Sequence, residues 1–436
     1  MFLNLSNAVR IDEDNIAIKR INEKCINCGM CKSICENKVG IKYDSDCKKA
    51  VCINCGMCIL NCPVGALVPK YDYKRVLDYL HDTEKIVTIS VAPAIRSSIG
   101  EGFSLEPGTF LEEELVGALK EVGFDYVFDV TNGADMTVME EASELIERLK
   151  NKKNLPMYTS CCPAWVKYLE IYHPNLINHL STTKSPIGIQ SSLLNTYFLK
   201  MHDLPKEKVI NVVVVPCTAK KFEIKRTEMG MDIALTTSEL VLLLKESGID
   251  ITKVEKCEFS KLFSKGSSAG TIFGFSGGVM EATLRCANYL LTGTDKIFNF
   301  NTLEENNKSG TIKEATVKLG DYDIKVAAVT GMKTVEELLN SNHDYDFIEV
   351  MNCPLGCVSG GGQVLTPINK QNEINLKRKI SLNSDDTNNE INFSYKNPDV
   401  INIYETYLDF PNSPKALKLL HTNYKDRSSI LRDKSL

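Results

Sequence analysis

Histidine is scarce in this 436-residue chain: there are six, against sixteen cysteines. That balance argues against imidazole-rich metal centres and favours sulfur-rich ones, iron–sulfur or zinc. Tryptophan occurs once. There is no basic surplus; the formal net charge is −5, so composition offers no case for nucleic acid or an anionic membrane as partner. No stretch approaches the roughly 18 uncharged apolar residues that would span a bilayer. The opening MFLNLSNAVRIDEDN lacks the basic start and apolar run of a secretory signal. A cytoplasmic protein with no membrane association is expected. A disulfide scaffold is excluded on size, since such scaffolds belong to small secreted domains.

What is there is cysteine in patterns. Nine cysteines lie between Cys25 and Cys62, and the next is Cys161. CINCGMCKSIC, 25–35, recurs as CINCGMCILNC, 52–62. Each copy has the spacing C-x2-C-x2-C-x3-C. Three thiolates at that pitch wrap one cubane, and the fourth reaches the other cluster. Cys25, Cys28, Cys31 and Cys62 are therefore expected to hold one 4Fe–4S cluster, and Cys52, Cys55, Cys58 and Cys35 a second. Gly29 and Gly56 would let backbone approach the sulfides. The alternative is a pair of structural zinc sites. Cys47 is left over as a spare thiol. Two such clusters make an electron-transfer module that feeds something else.

From about residue 85, apolar runs alternate with amphipathic helices. IVTISVAP, YVFDV and VINVVVVP read as buried strands. DMTVMEEASELIERLK and PAWVKYLEIYH read as helices, with Pro163 at a favourable first-turn position of the second. The expected fold class is α/β: a two-lobed domain preceded by a small α+β ferredoxin-like domain. The expected division is 1–70 for the cysteine repeat, 71–84 for a connecting helix, 85–370 for the large domain and 371–436 for a docked C-terminal helical segment. LNSDDTNNE, 382–390, reads as a polar linker.

Three segments carry most of the remaining cysteines. TSCCPAW holds Cys161 and Cys162, VPCTAKKFE holds Cys217, and EVMNCPLGCVSGGGQ holds Cys353 and Cys357. Four cysteines from three distant loops can furnish one site with four thiolates. The glycine run 360–362 would let backbone approach a bulky cofactor. A plain structural cubane or a four-thiolate zinc site is the alternative. Cys257 and Cys286 stand alone and read as packed core thiols.

These three segments, in this order, resemble the motifs of the FeFe-type (iron-only) hydrogenases. APAIR at 92–96, ADMTVMEE at 134–141, LSTTKSP at 180–186, FSGGVMEA at 275–282 and the closing stretch 394–424 are similar to the family as well. The resemblance implies an H-cluster: a 4Fe–4S cubane on Cys162, Cys217, Cys353 and Cys357, with Cys357 bridging to a two-iron subcluster carrying CO, cyanide and azadithiolate. It implies that Cys161 exchanges protons with that subcluster, a task that suits a thiol of unperturbed pKa near 8.5. Glu141, Glu144 and Arg148 recur on one helical face and, with Ser181, match the family's proton path, leaving Glu140 a bystander. Lys220 would donate to a cyanide and be oriented by Glu223. Ala92, Pro93 and Met351 would line the cavity.

The implied activity is reversible: two protons and two electrons from ferredoxin, or a similar small carrier, interconvert with H2, in a protein loaded by maturation enzymes. The alternatives are a hydrogen sensor and an iron–sulfur scaffold lacking the two-iron subcluster. Around the site the chain departs from the family at Val215, Ile187, Ala94, the stretch Val130-Thr131-Asn132, Asn352, Leu355 and Val364. No ligand is lost by these changes.

Overall fold

The computed structural model describes residues 7–41, 46–263, 265–300 and 311–433; residues 1–6 and 434–436 of the expected end segments lie outside that set. Strands β1 (Ile18–Arg20) and β2 (Leu67–Pro69) pair antiparallel and bracket the cysteine repeat. Helices Met30–Asn37 and Met57–Leu60 each follow a cysteine turn, and each starts at a glycine in the left-handed region, Gly29 at φ 80° and Gly56 at φ 74°. This small α+β part is not a free appendage. Ile34, Ile41, Ile53 and Met57 share one apolar core with Trp165, Val329, Met332 and Ile348. The helix expected at 71–83 is present as Tyr73–Leu80.

Eight further strands are described: β3 (Ile86–Val91), β4 (Tyr126–Asp129), β5 (Met157–Tyr158), β6 (Val209–Val215), β7 (Ile233–Thr236), β8 (Thr311–Leu319), β9 (Tyr322–Thr330) and β10 (Phe347–Met351). They form two four-stranded sheets, one in each lobe. The first has the order β4-β3-β6-β7 and is parallel throughout. The second has the order β5-β10-β9-β8, with only β8 antiparallel. The runs IVTISV and VINVVVV are rich in β-branched residues and almost wholly buried, as strands covered on both faces must be. The fold is the expected two-lobed α/β class.

Helix Val130–Asn151 is buried along most of its length. Its N-cap, Asp129, accepts a hydrogen bond from Thr131 N at 2.9 Å and pairs with the fully buried Arg96. It packs against helices Pro186–Leu193 and Gly278–Thr292.

One expectation fails. Most of 382–390 is not a linker, because helix Gln371–Asn388 runs through it. The polar residues that read as breakers have tertiary partners instead. Asp386 accepts from Arg285 Nη1 and Nη2 at 3.1 and 3.0 Å and from Ser268 Oγ. The same helix carries Arg378, buried, whose Nη1 donates to Val358 O at 2.9 Å and so braces the loop holding Cys357. In the C-terminal segment Val400, Ile403, Ala416 and Leu420 are buried.

Candidate functional site

Four strands end at one place. Beyond β3 come Ala92 and Pro93; beyond β6, Pro216 and Cys217; beyond β5, Cys161 and Cys162; beyond β10, Asn352 and Cys353. The carboxyl ends of parallel strands are where α/β folds form clefts, and here two sheets contribute to the same one. The cavity is lined by all these residues together with Val215, Lys220, Ile187, Met351 and Cys357. Of the residues the sequence placed around a cofactor, Ala92, Pro93, Lys220 and Met351 line this cavity, and Glu223 does not.

The loops are held by identifiable bonds. The single tryptophan, Trp165, is fully buried and donates from Nε1 to Thr159 O at 3.2 Å. Thr159 N donates to Ile348 O at 3.0 Å, which fixes the TSCC turn to β10. Helix Pro163–Tyr172 has Cys162 as its N-cap and Pro163 in its first turn. At Gly360 two backbones meet closely: a Cβ there would lie 2.2 Å from Pro216 O.

The sulfurs form one electrostatic group. Burial, then the neighbouring thiols, pushes Cys217 up to about 11 and Cys357 up to about 12, and Cys353 well above the ordinary thiol range. Cys162 is raised by burial as well. Four neighbouring thiols that would repel one another as thiolates need cations to ionise, and a coordinating metal deprotonates them outright. The buried, unpaired Oδ1 of Asn352 in the cavity wall also suits a polar inorganic group there. The residues present fit an iron–sulfur cofactor.

Lys220 and Glu223 form an ion pair at 2.7 Å, both buried. Burial works against the Lys220 ammonium, but Glu223 outweighs it and holds the pKa above the usual lysine value. Lys220 Nζ also donates to Cys161 O at 3.1 Å, tying the amine to the TSCC turn.

A buried polar run leads away from Cys161. Glu141 is the strongest charged influence on its thiol, after burial. Ser181 Oγ donates to Glu144 Oε2 at 3.0 Å and also reaches Glu141. Glu144 Oε1 accepts from Arg148 Nη2 at 2.6 Å. Arg148 and Glu144 line an open basin with Glu147, Lys153 and Asn154. Glu140 takes no part. Its carboxylate accepts from Asn412 N at 2.8 Å, bonds His421 Nε2 at 3.0 Å and bonds the Tyr404 hydroxyl, anchoring the C-terminal segment.

Glu141 is pushed up to about 8 by burial and then by Glu144. Its folded pKa thus lies above its unfolded value, 4.5. Between these values the folded carboxyl keeps a proton that the unfolded chain releases, so stability falls as pH rises through this window. Glu349, raised to about 7 by burial, pulls in the same direction. Glu141→Gln removes one such proton. Its unfolding free energy, followed by urea melts of the cluster-free protein, should decline less steeply with pH, by up to about 1.4 kcal/mol per pH unit.

The two N-terminal cysteine sets differ in position. Cys35 feels Cys55 and Cys52, and Cys58 feels Cys55, Cys52 and Cys35. Cys25, Cys28, Cys31 and Cys62 line a separate small pocket. Cys35 of the first copy thus lies near the second copy's thiols, and Cys62 of the second near the first's. Backbone N–H groups approach the sulfurs, Val9 N to Cys31 Sγ at 3.3 Å and Ala66 N to Cys62 Sγ at 3.2 Å. The Cys52 set is the inner one. Cys217 acts on the Cys55 thiol, and Cys55 acts on that of Cys353. Thr218 Oγ1 donates to Asn54 O at 2.6 Å. A Cβ on Gly361 would fall 2.2 Å from Cys55 O, and one on Gly56 would fall 2.5 Å from Thr218 Oγ1. These glycines thus allow close contact between the two backbone segments. The outer set faces solvent: Cys28 is exposed, and Ile26, Met30 and Val64 stand out around it. Cys286 is buried, as is Cys47, while Cys257 is half-buried. The sequence offered no sign of Asn54, Thr218 or Lys167 as site residues, because none falls in a ligand position.

The fold and the thiol-lined cavity define an iron–sulfur protein with an enclosed cofactor chamber. Residues 85–361 match the family described as iron only hydrogenase large subunit, C-terminal domain, and residues 372–427 match iron hydrogenase small subunit. Iron hydrogenase 1 of Clostridium pasteurianum is 35% identical over 95% of this chain and 77% of its own. A variant of [FeFe]-hydrogenase HydA1 from Chlamydomonas reinhardtii superposes with a TM-score of 0.73 at 33% identity, covering 81% of this chain and 98% of that one. Cytosolic iron-sulfur assembly component 3 of Bos taurus is 30% identical over 79% of this chain and 75% of its own. The chain belongs to the FeFe hydrogenase family. Among the described residues no helix is long and apolar enough to cross a membrane.

Proposed function

We propose that this chain is a reversible hydrogenase, interconverting H2 with two protons and two electrons, the electrons exchanged with ferredoxin or a similar small carrier. The observation that carries this reading is the buried run Cys161, Glu141, Ser181, Glu144, Arg148, which joins the cofactor cavity to an open polar basin. A protein that merely stores or passes on clusters has no use for a proton path into its cavity.

On this reading residues 1–70 form the electron-entry domain, 71–84 its connection, 85–370 the catalytic domain and 371–436 the segment that clasps it. Cys25, Cys28, Cys31 and Cys62 hold the outer 4Fe–4S cluster. Cys52, Cys55, Cys58 and Cys35 hold the inner one. Cys162, Cys217, Cys353 and Cys357 would hold the H-cluster, whose two-iron part maturation enzymes would supply. When bound, that group provides the redox centre at which H2 is made or split. The chain does the rest. Cys161 gives and takes the proton at its Sγ. Glu141 receives it, Ser181 passes it to Glu144, and Arg148 holds Glu144 at the basin. Lys220, set by Glu223, donates to an anionic ligand of the cofactor. Ala92, Pro93 and Met351 close the cavity against water. The exposed Ile26, Met30 and Val64 around Cys28 provide the face on which a carrier docks.

The assembly-component relative supports a second reading, a scaffold that holds cubanes alone. Infrared absorption in the CO and cyanide region, on anaerobic matured protein with and without H2, separates the two. Bands that move under H2 are expected. No bands, with three cubanes present by iron count and paramagnetic resonance, would leave the scaffold.

A further inference from the structure

Lys167 lies five residues after Cys162, on helix Pro163–Tyr172. Among the described residues no carboxylate forms an ion pair with it. Its Nζ donates to Asn54 Oδ1 at 2.6 Å and lies 4.1 Å from the centre of the Phe222 ring. Arg226 and Arg427 approach the same ring at 5.8 and 5.0 Å. Both arginines are neutralised on one acid, Glu170, whose Oε2 sits 2.9 Å from the first and 2.7 Å from the second. Three cations thus gather about one ring with a single carboxylate among them. The excess charge has one evident counterpart. Cys52 is the strongest charged influence on Lys167, ahead of Arg427, Glu170 and Arg226. Asn54, which accepts from Lys167, donates its own backbone N–H to Cys52 Sγ at 3.3 Å. Amine, amide and thiol stand in a line.

Burial pushes the Lys167 pKa down to about 8 against the pull of Cys52, so a half-buried amine with no ion-pair partner among the described residues, joined to that thiol through Asn54, is favoured by an anion there. A four-thiolate cubane is one, and reduction makes it more negative still. Nearby positive charge therefore favours the reduced cluster, and net charge around a cluster is one of the determinants of its potential. The two lysines near the cofactor sites divide the work. Lys220 acts on Cys217 and Cys161, and on Cys162 and Cys357. Lys167 acts on Cys52.

We propose that Lys167 is a positioning residue for electrons, its charge raising the reduction potential of the inner cluster on Cys52, Cys55, Cys58 and Cys35. The proposal rests on the assignment of a cluster to those four cysteines. In the step concerned, one electron leaves the outer cluster and enters the inner one, and no bond is made or broken. Lys167 makes the inner cluster the resting place of that electron, next to the catalytic cavity rather than at the exposed face.

The test is a potentiometric titration followed by paramagnetic resonance, on full-length protein carrying its cubanes but not the two-iron subcluster. Parent, Lys167→Met and Lys167→Arg are compared. Cys28→Ser marks the outer cluster's wave and Lys220→Met marks that of the catalytic cubane. Lys167→Met should move the remaining wave to lower potential and leave the other two in place, while Lys167→Arg should hold all three. An unmoved inner wave at full iron content overturns the proposal. So does an equal shift in both variants, which would trace the effect to shape rather than charge. A parent protein whose iron count lacks the third cubane would instead remove the cluster assignment beneath it.

Discussion

Cys161→Ala should lower H2 production from a reduced dye by on the order of 10²–10⁴-fold, the range in which a positioned proton donor acts. Iron content and the infrared bands of the cofactor should stay as in the parent. The thiol lines the cavity, and the first ionisable group beyond it is Glu141. Alanine removes the one group that can exchange a proton between the cavity and that carboxyl. It does not disturb the turn that carries Cys162, because the turn is held through backbone atoms and Trp165: Lys220 donates to Cys161 O, Thr159 N donates to Ile348 O, and Trp165 Nε1 donates to Thr159 O. A loss of iron alongside the loss of activity would show that Cys161 supports the cofactor rather than the proton, and the relay would have to begin elsewhere.

The two roles of Cys161 and Cys162 came from the resemblance of TSCCPAW to a family motif. The cysteine repeat was legible because thiolate spacing is a local property, set by the pitch of a turn. The strands were legible because runs such as VINVVVV have nowhere to go but a covered sheet. What was not legible depended on contacts across the fold. CINCGMC occurs twice with the same residues, so nothing in the repeat says which copy faces the cavity. Gly361 packed on Cys55 O, and Thr218 bonded to Asn54 O, decide that. The glycine run 360–362 was read as room for a cofactor, yet Gly361 makes room for another backbone. The helix through 382–388 was hidden because Asp386 breaks helices only when it has no Arg285 to pair with. Asn352 was noted as an unusual residue in its motif. Its place between the cysteine sets emerged only from the fold: its side chain reaches toward Cys55 and its backbone toward Cys162.

Glu141→Gln should reduce H2 turnover by about 100-fold, at the lower end for loss of one proton carrier, whereas Glu140→Gln should leave turnover within a few-fold of the parent. The two residues are neighbours on one helix and equally buried, so composition and burial do not distinguish them. Direction does. Glu141 meets Ser181, Thr283 and the Cys161 thiol, while Glu140 is spent on Tyr404, Asn412 and His421. Glutamine keeps the shape and can still accept a hydrogen bond, but it cannot take up and release a proton. Misfolding cannot mimic the result, because replacing a buried carboxyl that resists ionisation should make the protein relatively more stable as pH rises from 4.5 toward 8. Activity and stability should therefore move in opposite directions above neutral pH. If Glu140→Gln proved the more damaging of the two, the proton would leave by way of His421 and the C-terminal segment, and that segment would be part of the catalytic path rather than its clasp.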